Sequence, residues 1–274
     1  MNLSFLHRLS YRLLPNRLSC RRLSGLAALA CCLAASALLA SAAPLSKDKD
    51  KDKEKEHEGK NIDSGSFGVF QSGHRVGTET FSIYQTGSGS VVNSEFKTEN
   101  APKDAVQTSV MQLTANGDIR RYEWKESSPE QAQSVVLPNA DFLTQRWTMG
   151  QEKEHEQTYL LPPSTSVLDD YFFIQREVLA WKFLGAACKQ DKGQVQCPVK
   201  QRAQFGTMNP HEHSSAALSA EFLGREKVAL KNGPQDLLKL ELKSETGTWQ
   251  LWLDDQYKVM KILVVGENTE VERD

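Results

Sequence analysis

From Phe67 to Asp274, apolar and polar residues alternate with a period of two, and this constrains the fold more than any other feature of the chain. In "LLKLELK", Leu238, Leu240 and Leu242 share one face, and Lys239, Glu241 and Lys243 the other. "TWQLWLDD" sets Trp249, Leu251 and Leu253 against Gln250, Trp252 and Asp254. "IRRYEWKE" puts Tyr122 and Trp124 opposite Arg121, Glu123 and Lys125, and "TFSIY" continues the pattern with Phe81 and Ile83. One apolar and one wet face mean antiparallel strands, because parallel sheets are buried on both sides. Short turns such as "SGHR", "TGSGS", "ANGD" and "KNGPQD" separate the runs. The reading is a mostly β (α+β) domain over 67–274 with about ten strands, joined largely as a meander.

One segment departs from that period. In "STSVLDDYFFIQREVLAWKFLG", Val167, Tyr171, Ile174, Val178 and Trp181 fall at helical spacing, and Leu168, Phe172, Leu179 and Phe183 widen the stripe. Ser166 with Asp169 three residues on resembles a helix N-cap, Asp169 and Asp170 suit the positive end of the helix dipole, and Gly185 reads as the stop. A helix is expected at about 166–184, its stripe buried against the sheet. The expected architecture is one curved antiparallel sheet wrapped around one long helix.

The chain before the domain reads as export machinery. Arg8, Arg12, Arg17, Arg21 and Arg22 make the start basic, and "LAALACCLAASALLA" (26–40) is an apolar run too short for a stable membrane span. "ASA" at Ala40–Ala42 is an A-x-A cleavage site, so 1–42 is read as a signal peptide and the mature chain as starting at Ala43, periplasmic or secreted, with no transmembrane segment. "SKDKDKDKEKEHEGK" alternates six lysines with six acids and holds nothing apolar to bury, so 43–66 is read as a disordered tether. With five arginines removed from 33 basic residues and none from 35 acidic ones, the remainder carries net −7. That gives no basic face for nucleic acid. Cys188 and Cys197 alone remain, and in an oxidising compartment they read as a disulfide across a short hairpin.

Three stretches carry a resemblance: "V-x-x-x-G-x-x-V-G-T-E-T-F" from Val69 to Phe81, "LDDYFFIQREVLAWKF" from Leu168 to Phe183, and "WQLWLDDQYKVMKILVVGENTEVER" from Trp249 to Arg273. The chain resembles exported bacterial families of unknown function whose fold is similar to the lipoprotein carriers LolA and LolB. The resemblance implies an unclosed β-barrel around the helix, a periplasmic location and a hydrophobic ligand between the two. It brings no catalytic residues.

The search for chemistry returns little. "SGHRVG" is followed by a β-branched, aromatic strand, not by the helix a phosphate cradle needs, so it is a hairpin turn. His74 and Arg75 then face solvent, and Gly77 marks a bulge or a spot over which a large neighbour packs. His211 and His213 in "HEH" could ligate a metal with His155 or a Glu, but the stretch reads as an exposed loop. Asp169 and Asp170 point about 100° apart on a helix and form no dyad. No G-x-S-x-G is present and nothing calls for a cofactor. Trp252, out of phase with its strand, marks a contact on the polar face. The expectation is a non-enzymatic protein whose concave face, with Phe81, Ile83, Tyr122, Trp124, Phe172, Ile174 and Trp181, holds a lipid or acyl chain. The alternative is an envelope assembly factor with a packed core, binding a protein partner through its surface. A histidine metal site is a minor third.

Overall fold

The computed structural model describes residues 59–99, 105–129, 131–191 and 194–274. The signal peptide and the tether up to residue 58 lie outside the described residues.

Eight strands follow one another as a meander: β1 (Lys60–Gln71), β2 (His74–Thr86), β3 (Gly89–Thr98), β4 (Val106–Thr114), β5 (Ile119–Ser128), β6 (Ala132–Asn139), β7 (Phe142–Met149) and β8 (His155–Tyr159). A two-residue strand, β9 (Ser166–Val167), precedes the helix α1 (Ile174–Ala187). A small hairpin, β10 (Lys189–Asp191) and β11 (Gln194–Gln196), follows it. The second wing is β12 (Arg202–Asn209), β13 (Ser214–Leu230), β14 (Gly233–Ser244), β15 (Thr248–Leu253), β16 (Val259–Val264) and β17 (Thr269–Arg273).

All but β10 and β11, which pair only with each other, build one 15-stranded sheet in the order β8-β7-β6-β5-β4-β3-β2-β1-β17-β16-β15-β14-β13-β12-β9. β1 pairs antiparallel with β17, Phe67 opposite Arg273, so the first and last strands stitch the two wings together. Only β9 runs parallel to its neighbour, β12. The strips at either end, β8 and β9, do not pair, and the sheet stays unclosed. The antiparallel, mostly β architecture follows from the alternation, but the sheet has 15 strands, not about ten. The additional strands are hard to see because polar residues occupy inward positions. Ser94, Gln107, Ser109, Ser134 and Gln145 are all buried, and each breaks the apolar period on β3, β4, β6 or β7.

Two boundaries differ from expectation. β1 reaches back to Lys60, seven residues into the segment read as tether. The cause is Asp63, which is 1% exposed. Arg273 Nη2 donates to it at 2.8 Å, and Lys258 Nζ lies 2.9 Å away. The helix spans 174–187, not 166–184. Ser166 and Val167 pair with Thr207 and Met208, Asp169 is used elsewhere, and the helix runs through Gly185.

Inside, α1 buries Ile174, Leu179, Ala180, Phe183 and Leu184 in a single apolar cluster with the sheet. Tyr122, Phe67, Leu240, Leu242, Leu251 and Ile262 are wholly buried on the sheet side. Cys188 and Cys197 sit at disulfide distance, sulfur to sulfur 2.08 Å, flanking β10 and β11. Val195 N–H donates to the Tyr257 hydroxyl (2.6 Å), and Trp181 Nε1 to the Tyr257 carbonyl (2.6 Å), which pins this hairpin near the end of the helix. Among the described residues no helix is long and apolar enough to cross a membrane.

Candidate functional site

The polar chemistry of the interior gathers where the chain enters α1. β5 is half-apolar, so its alternation turns Tyr122 and Trp124 inward. The irregular segment between β9 and α1 delivers Asp169, which is fully buried, to the Tyr122 hydroxyl. Its carboxylate Oδ2 accepts the Tyr122 hydroxyl at 2.7 Å and meets His211 Nδ1 at 2.6 Å, while Oδ1 accepts the backbone N–H of Tyr171 at 3.0 Å. Gln175 closes the ring: its Oε1 accepts the Asp169 N–H (2.6 Å) and its Nε2 donates to the Tyr122 oxygen (3.2 Å). Burial first, then the Asp169 charge, pushes the Tyr122 hydroxyl well above its ordinary range, so it stays a donor.

His211 arrives from the turn between β12 and β13. Asn209 Oδ1 accepts the N–H of His211 (3.1 Å) and of Glu212 (3.3 Å), which shapes that turn. The His211 side chain is only 8% exposed. Its ring stacks on Trp124 with centroids 3.9 Å apart and planes 15° apart, and Tyr171 lies against it at 4.7 Å. Beside it, the Pro210 carbonyl accepts from Gln145 Nε2 (2.6 Å), and His213 stacks on Trp147 at 4.0 Å. One turn of the second wing is thus clasped to β5 and β7 of the first, across the gap that no ladder closes.

A second buried acid organises the helix. Phe173 stands at the N-cap with no side-chain cap of its own. Glu79 of β2 supplies it: its carboxylate accepts the N–H of Phe173 at 2.7 Å and of Ile174 at 3.3 Å, and the Ser94 hydroxyl at 2.7 Å. Burial pushes Glu79 up to about 7 despite these donors. Arg176 is also buried, donating from Nη1 to the carbonyls of Asp169 (3.0 Å) and Phe172 (3.3 Å).

All seven side chains expected to line a ligand site fall in or against the same cluster. Phe81, Ile83, Tyr122, Trp124, Phe172 and Ile174 lie between 0% and 4% exposed, in contact with core neighbours, and Trp181 is half-buried. Phe81 stacks on Phe67 at 4.7 Å beneath the Arg273 guanidinium. Other expectations need correction. His211 is not a solvated loop residue, and Asp169 is not a helix cap but the partner of His211 and Tyr122. Arg75 does not point freely into solvent, since it forks to Glu99 (3.1 Å) and Asp274 (2.9 Å). Trp252, 5% exposed, does make a contact on the polar face as expected, and that contact lies within the chain: Lys239 is over its ring at 4.9 Å, and its Nε1 donates to Glu226. Among the described residues no three His, Cys, Asp or Glu side chains converge to hold a metal.

The signal for the Asp169–His211 pair was faint in the sequence. The two residues are 42 positions apart. Only the unusual density of aromatic and acidic residues in "LDDYFF" and the "NPHEH" turn marks the places that meet.

No protein-family model matches the chain, and no curated protein does. Among solved structures it is similar to a DUF1089-family protein from Pseudomonas aeruginosa, at 9% identity and a TM-score of 0.39, over 69% of this chain and 90% of that one. At that score the likeness bears on neither function nor fold detail, and the lipoprotein-carrier resemblance rests on the sequence alone.

Proposed function

We propose that this chain is an exported, non-enzymatic protein that binds a lipid or acyl chain between its sheet and its helix. What carries this is the combination of an unbroken apolar cluster from the sheet to α1 with a gap in the sheet bridged by side chains. Such a gap opens without breaking any strand ladder, and an apolar cavity exposed by opening has the character of a lipid site: mostly apolar, with few polar groups. Because six of the seven expected lining residues are at most 4% exposed, a ligand enters only by displacing core contacts. That same packing favours the second reading, an envelope assembly factor whose interior is filled to ordinary density and whose surface meets a protein partner.

Native mass spectrometry of the chain from Ala43, purified from an exporting host without detergent, separates the two. The expected result is extra mass that organic solvent removes and that proves to be lipid. A clean mass that stays clean after incubation with envelope lipids overturns the proposal and leaves the assembly factor.

A further inference from the structure

Trp124 and His211 lie face to face, and each ring ends in a buried nitrogen without a partner. Trp124 Nε1 and His211 Nε2 make no hydrogen bond among the described residues. Trp124 is 4% exposed and the His211 side chain 8%, so neither nitrogen is satisfied by bulk water. An unmet buried donor or acceptor destabilises the fold, and here two lie on stacked rings 3.9 Å apart. Beside them the Tyr122 hydroxyl and the Asp169 carboxylate are, by contrast, hydrogen-bonded, while Arg176 Nε is another buried nitrogen without a partner. Tyr122, Asp169 and Gln175 form a closed ring of hydrogen bonds.

The two nitrogens are chemically different. The indole N–H only donates. Asp169 accepts hydrogens from Tyr122 and from the Tyr171 backbone, so the His211 contact at 2.6 Å places the imidazole hydrogen on Nδ1. With the imidazole neutral, Nε2 is a lone-pair acceptor. One donor and one acceptor on adjacent rings suit a neutral group that both accepts and donates, which describes a hydroxyl. A carboxylate only accepts and would sit beside the Asp169 charge. An ammonium only donates.

We propose that Trp124 Nε1 and His211 Nε2 are the polar anchor of the ligand site and that they select an apolar chain ending in a hydroxyl. This rests on the lipid-binding reading above and names its ligand class. Trp124 and Tyr122 lie on the apolar face expected to hold the chain, so the anchor belongs to that face and is not apart from it.

The test uses three probes of equal chain length, dodecanol, dodecanoate and dodecane, each displacing a solvatochromic naphthylamine dye from the chain beginning at Ala43. Dodecanol is expected to bind about tenfold more tightly than the other two. Trp124→Phe keeps an aromatic ring on His211 but removes the N–H. It is expected to weaken dodecanol about tenfold more than it weakens dodecane. Near-UV circular dichroism of the variant checks that the core is intact, and Trp124→Met, which also lacks a donor, serves as a second variant if Trp124→Phe fails to fold. Equal binding of all three probes, unchanged in the variant, overturns the anchor while leaving the lipid-binding reading standing, and assigns the two nitrogens to an ordered water. Tighter binding of dodecanoate than dodecanol overturns the hydroxyl selectivity. Displacement by none of the probes overturns both the anchor and the reading it rests on.

Discussion

Glu79 carries the clearest pH signature of any residue in the interior. Burial lifts its carboxyl from 4.5 to about 7, so the folded chain retains a proton that the unfolded chain has released. Its contribution to stability is full below pH 4.5 and is lost as pH rises through about 7, a change of at most about 3 kcal/mol. Chemical unfolding of the wild type from pH 4.5 to 7.5 is expected to show stability falling across that window, and Glu79→Gln to flatten the slope. A second position is set by contact. A Cβ on Gly77 would lie 2.6 Å from Phe96 Cζ, and the Val69–Phe70 bulge faces the same place. Gly77→Ala is expected to cost about 1–3 kcal/mol in urea unfolding through overpacking. Gly77 was legible as a site where a large neighbour packs, since a glycine inside an alternating strand has few other uses. Glu79, two residues along, was not. It looks like any polar residue of an alternating strand, and its partners lie 94 and 95 positions away on the helix.

At the scale of elements, the helix is held by strand residues more than by its own sequence. Its first turn is capped by β2 through Glu79, and its Glu177 is bound by β17 and the start of β16. Arg273 Nη2 donates to Glu177 (2.8 Å) and to Asp63 (2.8 Å), and Val259 N–H donates to Glu177 at 2.6 Å. Among the described residues, Arg273 is therefore the one cation linking the first strand, the last strand and α1 through these two acids. Replacing it with Met leaves two buried carboxylates with less compensation, and a loss of about 3–5 kcal/mol is expected in urea unfolding. A loss under 1 kcal/mol would mean that Lys258 suffices for Asp63 and that Glu177 stays protonated. The helix was legible from its apolar stripe, but its start was not. The stretch Ser166–Phe173 has the composition of a helix entrance, and tertiary contacts claim it instead: β12 takes Ser166 and Val167, and Tyr122 and His211 take Asp169. Local capping chemistry lost to partners that only the folded chain supplies.

Among the described residues, the domain from 59 to 274 is a long antiparallel sheet rolled around one helix, continuous at β1–β17 and left unpaired between β8 and β9. Alternation in the sequence made the antiparallel character and the one wet face readable. It undercounted the strands where inward positions are polar, as at Ser94, Ser109 and Gln145. The gap is bridged by the Asn209–His213 turn, whose contacts are stacked rings and single hydrogen bonds. Such a closure gives way before a ladder does, which ties the proposed ligand path to the molecule's architecture. Hydrogen–deuterium exchange, read by mass spectrometry with and without dodecanol, addresses this most directly. The account predicts that dodecanol changes exchange in β5, in the Asn209–His213 turn and in the first turn of α1, and leaves β14 and β15 unchanged. Identical exchange with and without the alcohol, or changes confined to the outer edge at β8, would contradict a ligand held between the sheet and the helix.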